Sequence, residues 1–369
     1  MIIKFPDYNN SIMNVSNSIL KFYGVETKYN GIDILDEKLK NDYNHVIYIL
    51  LDGMGSNIVK KLLNKTDGLR RYMRKEITSV FPATTVAATD AVLSGVPPIS
   101  NGHLGWVQYF PKEDVNMVVF QQRDQYDETN IIKEDLREKY ISFERMHQQI
   151  SRVYKDINSS EIFPSFIEGG AESFAEQVER VLLKVKNNDK TFTYIYWVQP
   201  DLYEHQFGIY SDEVKNVLIE LNDGFEDLIN NVDDDTIVVC IADHGLTNIE
   251  PINLLEYRDI MDSLLRLPSL EPRAMNFFVK EDKIAGFKDL FNSHFEKEYL
   301  IYSKKEILDM KLFGDGEMHE MCDSFIGDFL AIAIDKYMFT LNNDKAYIGH
   351  HAGLLEDEMM VPLIIYSKK

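Results

Sequence analysis

Three short, uninterrupted apolar runs recur along the chain, and each is too short to form a typical helix. They span His45–Leu51, Thr191–Val198 and Thr236–Ala242. A strand with one face in water alternates apolar and polar residues, whereas a strand buried on both faces does not. The runs therefore predict strands inside a covered sheet, and Val361–Ile365 predicts a further strand near the end of the chain.

Apolar residues at helical spacing predict helices between these strands. Glu172–Lys186 carries an apolar stripe, Ser211–Asn231 reads as a long helix, and small residues predict a helix over Val86–Leu93. From residue 251 to 344, helix-like and strand-like segments are mixed, and the regular alternation of strand and helix stops. We therefore predict a core of residues 1–250 and 345–369, interrupted by an inserted α+β cap subdomain at 251–344.

Polar side chains follow each of the three apolar runs. Asp52 follows the first, Asp201 and His205 the second, and Asp243 and His244 the third. Open α/β sheets bind their ligands beyond the carboxyl ends of strands, where these residues would meet. Simpler roles are also open: Asp52 as a helix cap, Asp201 with His205 as a helix ion pair, and Asp243-His244 as part of a solvated loop.

A threonine pair precedes the small-residue helix. Phe81-Pro82-Ala83-Thr84-Thr85 leads from a β-branched and aromatic run into that helix, whose first N–H groups lack intrahelical partners. Such a terminus favours an anion or an ionised hydroxyl, so either Thr84 or Thr85 can serve as a nucleophile. The alternative is that the pair only caps the helix.

The net charge and the cysteine content limit the classes of function that the chain can have. A net charge of −21 argues against binding nucleic acid polymers or anionic membranes, and a phosphate substrate would need bound metal ions as a local positive charge. Two cysteines indicate no disulfide framework, and neither a signal peptide nor a run long enough to span a membrane is evident. We expect a cytoplasmic location.

Together these residues form a possible two-metal site. Carboxylates, imidazoles and one hydroxyl suffice for two ions with three protein ligands each, an arrangement that suits phosphoryl transfer. The set consists of Asp52, Thr85, Asp201, His205, Asp243, His244 and one of His350 and His351. Neighbouring side chains in extended backbone point to opposite sides, so only one of the two adjacent histidines is expected to reach an ion.

The chain resembles the alkaline phosphatase superfamily, and within it the type I phosphodiesterase/nucleotide pyrophosphatase family. The resemblance runs from Val46 to the C-terminus and rests on motifs in the family's order: Asp52-Gly53-Met54-Gly55, Phe81-Pro82-Ala83-Thr84-Thr85, Pro200-Asp201 with His205, Asp243-His244-Gly245, and His351-Ala352-Gly353-Leu354 followed by Val361-Pro362-Leu363. It implies a doubly wound, mostly parallel α/β sheet with a cap, and a phosphoryl-threonine intermediate.

The same resemblance implies residue roles. Thr85, the second threonine, is the expected nucleophile. One zinc ion would be bound by Asp201, His205 and His351, and the other by Asp52, Asp243 and His244 with Thr85. Manganese is the alternative metal.

Two positions depart from the family pattern. Trp106 stands where the phosphodiesterases have an asparagine that holds a phosphoryl oxygen, and Ala352 stands where a glycine is frequent. We interpret Trp106 as a substrate-binding residue whose indole stacks on a flat leaving group, and we expect Ala352 to be tolerated. The segment Asn101–Phe110 is predicted to be a loop rich in glycine and aromatic residues.

The expected activity is metal-dependent hydrolysis of phosphodiester or nucleotide pyrophosphate bonds in a small substrate, such as a nucleotide. Alternatives on the same scaffold are a phosphomonoesterase, a phosphonate hydrolase and a phosphomutase. The alternative from a different functional class is a non-catalytic homologue that binds metal.

Overall fold

The computed structural model describes residues 1–186, 189–341 and 347–369. In chain order, the α-helices of these ranges are α1 Ile12–Phe22, α2 Asp33–Lys38, α3 Ser56–Leu62, α4 Gly68–Arg71, α5 Thr85–Ser94, α6 Pro98–Asn101, α7 Leu136–Ile141, α8 Met146–Val153, α9 Phe174–Val185, α10 Asp201–Phe207, α11 Asp212–Asn231, α12 Arg258–Met261, α13 Ile284–Phe295, α14 Lys304–Asp309, α15 Cys322–Phe325 and α16 Glu356–Met359. Short 3₁₀ helices cover Leu254–Glu256 and Glu281–Lys283.

The strands are numbered in the same way. They are β1 His45–Leu51, β2 Met73–Thr78, β3 Val107–Phe110, β4 Val115–Val118, β5 Arg123–Asp124, β6 Asn158–Ile162, β7 Thr191–Trp197, β8 Thr236–Ile241, β9 Thr247–Asn248, β10 Glu250–Asn253, β11 Ser269–Glu271, β12 Ala274–Phe277, β13 Tyr299–Ser303, β14 Phe329–Ala333, β15 Tyr337–Thr340, β16 Gly349–His350 and β17 Met360–Ser367.

A largely parallel six-stranded sheet forms the centre of the fold, in the order β2-β17-β8-β1-β7-β6. Strands β6, β7, β1 and β8 run parallel, and β17 is antiparallel to both of its neighbours. Every residue of β1, β7 and β8 is buried, as the unbroken apolar runs predict. The prediction of an α/β fold with a mostly parallel sheet is confirmed.

The helices begin and end where local chemistry indicates. Ser173 and Ser211 are the N-caps of α9 and α11, and their side chains accept the N–H groups of Glu176 and Val214. The helix after the threonine pair begins at Thr85, one residue earlier than the predicted segment. No helix in the described ranges is both long and apolar enough to cross a lipid bilayer.

A second, antiparallel sheet has the order β13-β14-β12-β11-β3-β4-β5. Four of its strands lie at 269–333, within the predicted cap, but the other three come from 107–124. The segment Asn101–Phe110, predicted as a loop, therefore ends in a strand of this sheet, because Val107 pairs with Leu270 of β11. The cap at 251–344 stays a prediction, and its boundary with the segment 345–369 lies outside the described residues.

A buried ion pair ties the second sheet to the segment that carries His351. The Arg273 guanidinium donates to the Glu358 carboxylate at 2.7 and 2.8 Å, and neither side chain is exposed. Glu358 also accepts the backbone N–H groups of Gly353 and Leu355. One carboxylate thus holds both the second sheet and the turn that follows His351.

We expect Arg273→Met to lower the free energy of unfolding by about 3–5 kcal/mol, because it leaves the Glu358 carboxylate buried without its cation. Urea denaturation measures the loss. The matched control is Lys288→Met, which breaks a surface pair with Glu306 and should cost no more than about 1 kcal/mol. Equal losses in the two variants would contradict the assignment of the buried pair as a structural tie.

Candidate metal centre

Strand register gathers the predicted carboxylates at one edge of the central sheet. Leu51 of β1 lies opposite Trp197 of β7, so these strands end level, and Leu50 lies opposite Ile241 of β8. The next residues along the chain include Asp52 and Asp243. The backbone continues this alignment beyond the strands, since the N–H of Asp201 donates to the carbonyl oxygen of Asp52 at 3.0 Å.

The turn after β1 requires a glycine, because the backbones of Gly53 and Asp201 lie close together. Gly53 has φ +75°, and a Cβ atom there would lie 2.8 Å from Cα of Asp201. Both the left-handed backbone and the close contact exclude a larger residue. Asp52 does not cap the following helix, because the N-cap residue of α3 is Gly55. The capping interpretation of Asp52 is therefore wrong.

The first group of candidate ligands is Asp52, Asp243 and His244, whose ligand atoms all lie within 4.8 Å of one another. Nε2 of His244 is 3.5 Å from Oδ1 of Asp52 and 3.5 Å from Oδ2 of Asp243. The Thr85 hydroxyl lies 3.3 Å from the same Nε2. Thr85 is the first residue of α5, so its hydroxyl lies at the helix N-terminus and beside this group.

The second group is Asp201, His244 and His351, again within 4.8 Å. Oδ1 of Asp201 is 4.0 Å from Nε2 of His351 and 3.3 Å from Nε2 of His205. His205 therefore lies at Asp201, as the spacing predicts, although it belongs to neither three-residue group. The rings of His244 and His351 stack with centroids 4.0 Å apart, which brings the two groups into contact.

The three histidines direct Nε2 into the site because Nδ1 of each faces a backbone carbonyl. His205 donates to Gly349 at 2.8 Å, and His351 donates to Ala83 at 3.1 Å. The Nδ1 atom of His244 lies 3.3 Å from the carbonyl oxygen of Gly245. A hydrogen bond from one ring nitrogen leaves the lone pair of the other free, which is the usual second-shell support of a metal-binding histidine.

His350 is oriented differently from His351. Its Nδ1 lies 2.9 Å from the backbone nitrogen and 3.1 Å from the carbonyl oxygen of His351, and His350 belongs to neither candidate ligand group, whereas His351 belongs to one. Ala352, next in the chain, has φ +85° and is fully buried. The replacement of the family's frequent glycine therefore places backbone strain directly after the candidate ligand His351.

Three carboxylate oxygens in the site have no hydrogen-bond partner among the described residues. They are Oδ1 of Asp52, Oδ1 of Asp201 and Oδ2 of Asp243. The remaining oxygens of two of them are bonded: Tyr196 donates to Oδ2 of Asp52, and Gly53 and His244 N–H groups donate to Oδ1 of Asp243. Unpaired buried oxygens facing imidazole Nε2 atoms are the donor set that fits zinc, or another divalent transition metal.

The pKa shifts of the three aspartates also agree with a site for a divalent metal ion. Burial, with repulsion from Asp243 and Asp201, raises the pKa of Asp52 well above its usual value, and burial also raises the pKa of Asp243. Burial would raise the pKa of Asp201 as well, but attraction to His205 brings it below its usual value. Three carboxylates in one dry site repel one another, and a divalent cation would relieve that repulsion.

Sequence reasoning missed two residues around the site. Tyr196, which bonds Asp52, is hidden in the apolar run of β7, where its hydroxyl gives no signal of a role. Glu271, at the end of β11, is 3% exposed and accepts the backbone N–H of Trp106 at 2.7 Å. No sequence motif marks it, because strand pairing in the second sheet brings it to Trp106.

Trp106 itself packs within the second sheet. Its ring lies edge-on to Phe120, with centroids 6.1 Å apart, and its side chain is partly exposed. Its role in substrate binding stays a prediction. Thr84, the N-cap residue of α5, is fully buried, and its hydroxyl makes no hydrogen bond with the described residues.

The fold and the site define a class: an α/β enzyme of the alkaline phosphatase-like fold with buried, metal-capable carboxylates and histidines at the edge of its parallel sheet. Comparison with known proteins agrees with this class. A sequence model of the type I phosphodiesterase/nucleotide pyrophosphatase family matches residues 46–354. The chain therefore belongs to the type I phosphodiesterase/nucleotide pyrophosphatase family and is a phosphoric ester hydrolase.

Solved structures show the same fold. Human ectonucleotide pyrophosphatase/phosphodiesterase 5 is 16% identical with a TM-score of 0.68, covering 88% of each chain. The murine protein is also 16% identical, with a TM-score of 0.67 over 87% of this chain and 88% of that one. An inactive variant of the murine protein in complex with AMP gives 16% identity and a TM-score of 0.66, over 89% and 88%. No curated protein matches the chain at a significant level.

The contrast between the adjacent histidines gives a prediction. We expect His351→Ala to lose about one equivalent of bound zinc, and His350→Ala to retain its full complement, because His351 lies in a candidate ligand group, with Nε2 4.0 Å from Oδ1 of Asp201, and His350 lies in neither group. Elemental analysis of the purified variants measures zinc per chain. Loss of metal confined to His350→Ala would reverse the assignment.

Proposed function

We propose that the chain hydrolyses phosphodiester or nucleotide pyrophosphate bonds with Thr85 as the nucleophile and two divalent metal ions as cofactors. The observation that carries this proposal is the position of the Thr85 hydroxyl. It lies at the N-terminus of α5 and 3.3 Å from Nε2 of His244, a residue common to both candidate ligand groups. Thr84, by contrast, is fully buried, and its hydroxyl has no hydrogen-bond partner among the described residues.

In this proposal, Asp201, His205 and His351 hold one ion, and Asp52, Asp243 and His244 hold the other together with Thr85. The unpaired oxygens of the three aspartates and the inward-facing Nε2 atoms of His205 and His351 support ion binding, and the division of the residues between two ions follows the family resemblance. When bound, two divalent cations favour ionisation of a nearby hydroxyl and stabilise negative charge on phosphoryl and leaving oxygens. Zinc suits the donor set, with manganese as the alternative.

The residues then act in two displacements. The Thr85 hydroxyl gives its proton to water, and Oγ forms a bond to phosphorus while the bond to the leaving oxygen breaks; the leaving oxygen takes a proton from water. A water molecule next attacks the phosphoryl-threonine, breaks the bond to Oγ and releases the phosphate product, and Oγ regains a proton. The N–H groups at the start of α5, unpaired within the helix, are positioned to stabilise a phosphoryl oxygen.

A small nucleotide is the proposed substrate. The complex of the murine relative with AMP supports this choice. A phosphomonoesterase, a phosphonate hydrolase, a phosphomutase and a non-catalytic homologue remain the alternatives that assays must separate. The cytoplasmic location also stays a proposal, based on the composition of the chain.

The proposal predicts metal-dependent turnover. We expect the zinc-loaded protein to cleave bis-p-nitrophenyl phosphate, the chelated protein to lose at least about 90% of that activity, and zinc to restore it, because the aspartates and histidines alone lack the positive charge that phosphoryl transfer requires. Release of p-nitrophenolate measures the rate. Full activity in a preparation shown to be metal-free by elemental analysis would contradict the proposal.

The two threonines provide the second test. We expect Thr85→Ala to lower kcat by about 10³-fold or more, because its hydroxyl lies 3.3 Å from Nε2 of His244, and Thr84→Ala to lower it by about tenfold at most. Circular dichroism and metal content serve as controls for folding. Comparable losses in the two variants would remove Thr85 from its assigned role.

A further inference from the structure

The segment of residues 2–8, which precedes α1, contacts two loops of the candidate metal centre. The family model begins at residue 46, so this segment lies outside the matched range. Its start pairs with the turn after His351, since Ile3 forms an antiparallel bridge with Leu355. Its end, at residue 8, contacts the loop that leads into the nucleophile. The proposed mechanism assigns the segment no role.

Hydrogen bonds anchor the backbone on both sides of Tyr8. Before it, the N–H of Asp7 donates to Oγ1 of Thr78 at 3.0 Å. After it, the carbonyl oxygen of Asn10 accepts the N–H of Thr78 at 3.0 Å. Thr78 is the last residue of β2, an edge strand of the central sheet. The backbone that carries Tyr8 is therefore fixed relative to that sheet.

The Tyr8 side chain joins two further segments through its hydroxyl. The oxygen accepts the backbone N–H of Phe81 at 3.3 Å, and the hydroxyl donates to the carbonyl oxygen of Leu312 at 3.0 Å. Phe81 is fully buried, so water cannot easily replace the Tyr8 hydroxyl as the partner of this N–H. One hydroxyl thus fixes the backbone at Phe81 from outside the loop.

Two parts of the candidate centre follow Phe81 within four residues. The carbonyl oxygen of Ala83 lies 3.1 Å from Nδ1 of His351 and orients that ring. Thr85 then begins α5, with its hydroxyl 3.3 Å from Nε2 of His244. A backbone shift at Phe81 would therefore be passed on to both the nucleophile and a candidate ligand. A displacement of about 1 Å at a reacting group can cost about 100-fold in rate.

We propose that Tyr8 is a positioning residue for the reaction: its hydroxyl fixes the backbone at Phe81, so that Thr85 and His351 keep the positions that phosphoryl transfer and metal binding require. This inference rests on the proposed function and adds a residue from outside the range that the family model matches. Tyr8 acts through Phe81, since its hydroxyl bonds backbone groups and not the candidate ligands.

Removal of one hydroxyl tests the inference. Tyr8→Phe keeps the ring and leaves the buried N–H of Phe81 without its acceptor. The matched control is Tyr23→Phe, which removes a buried hydroxyl that donates to the carbonyl oxygen of Thr191, at the opposite end of β7 from the site. We expect Tyr8→Phe to lower kcat on bis-p-nitrophenyl phosphate by about tenfold with KM within about twofold, and Tyr23→Phe to leave both within about twofold.

Zinc affinity supplies a readout that does not depend on turnover. Groups that orient metal ligands typically change metal affinity by about 10–100-fold when removed, and Tyr8 acts one step further away. We therefore expect Tyr8→Phe to raise the apparent Kd of zinc by about fivefold in competition with a chelator, and Tyr23→Phe to leave it unchanged. Circular dichroism and urea denaturation show whether the two variants fold and how much stability each loses.

A purely structural role for Tyr8 predicts that the two variants lose similar stability and share the wild-type kcat and zinc Kd. That result would overturn the inference. If wild type turns over no phosphate ester, the proposed function fails, and zinc binding still decides the inference. In that case, a Kd weakened only in Tyr8→Phe supports it, and an unchanged Kd overturns it.

Discussion

Electrostatic repulsion among Asp52, Asp201 and Asp243 is the constraint on which the site depends. The level ends of β1 and β7, with β8 beside them, bring these carboxylates together in a region with almost no contact with water. Among the described residues, no lysine or arginine forms an ion pair with these carboxylates, and the opposing groups are imidazoles that present Nε2. A sheet that folds this way concentrates negative charge in a buried region, and a bound cation would stabilise that charge. The parallel fold is thereby linked to metal-dependent chemistry.

The second sheet supports the site through Arg273, which lies between β11 and β12. Arg273 anchors Glu358, and Glu358 holds the turn after His351, so a residue of the second sheet fixes the position of a candidate ligand at the central sheet. The strained backbone at Ala352 is retained within this arrangement because the surrounding bonds determine the path of the chain. The same sheet brings Glu271 to the backbone N–H of Trp106. The second sheet therefore helps to position a candidate ligand.

The fold was predictable wherever hydrophobic patterning had a single explanation. The apolar runs of β1, β7 and β8 each match the observed strand to within one residue, because strands buried on both faces consist mainly of apolar residues. The loop prediction at Asn101–Phe110 was wrong at its end, since pairing of Val107 with Leu270 across the chain is a tertiary contact that local composition does not encode. The helix α1 also went unpredicted, although nine of its eleven residues are buried in the structure.

The sequence by itself determined the chemical types in the site and their order. Carboxylates, histidines and a threonine follow apolar runs at spacings that a sheet must gather at one edge, and this sufficed to recognise the family. Only the tertiary structure decided which atoms face inward. The structure places the His351 ring, and not that of His350, within a candidate ligand group, and the contact of Glu271 with Trp106 depends on strand pairing between distant segments. Hydrogen-bond direction and long-range pairing are set by packing in three dimensions, so no local sequence pattern carries them.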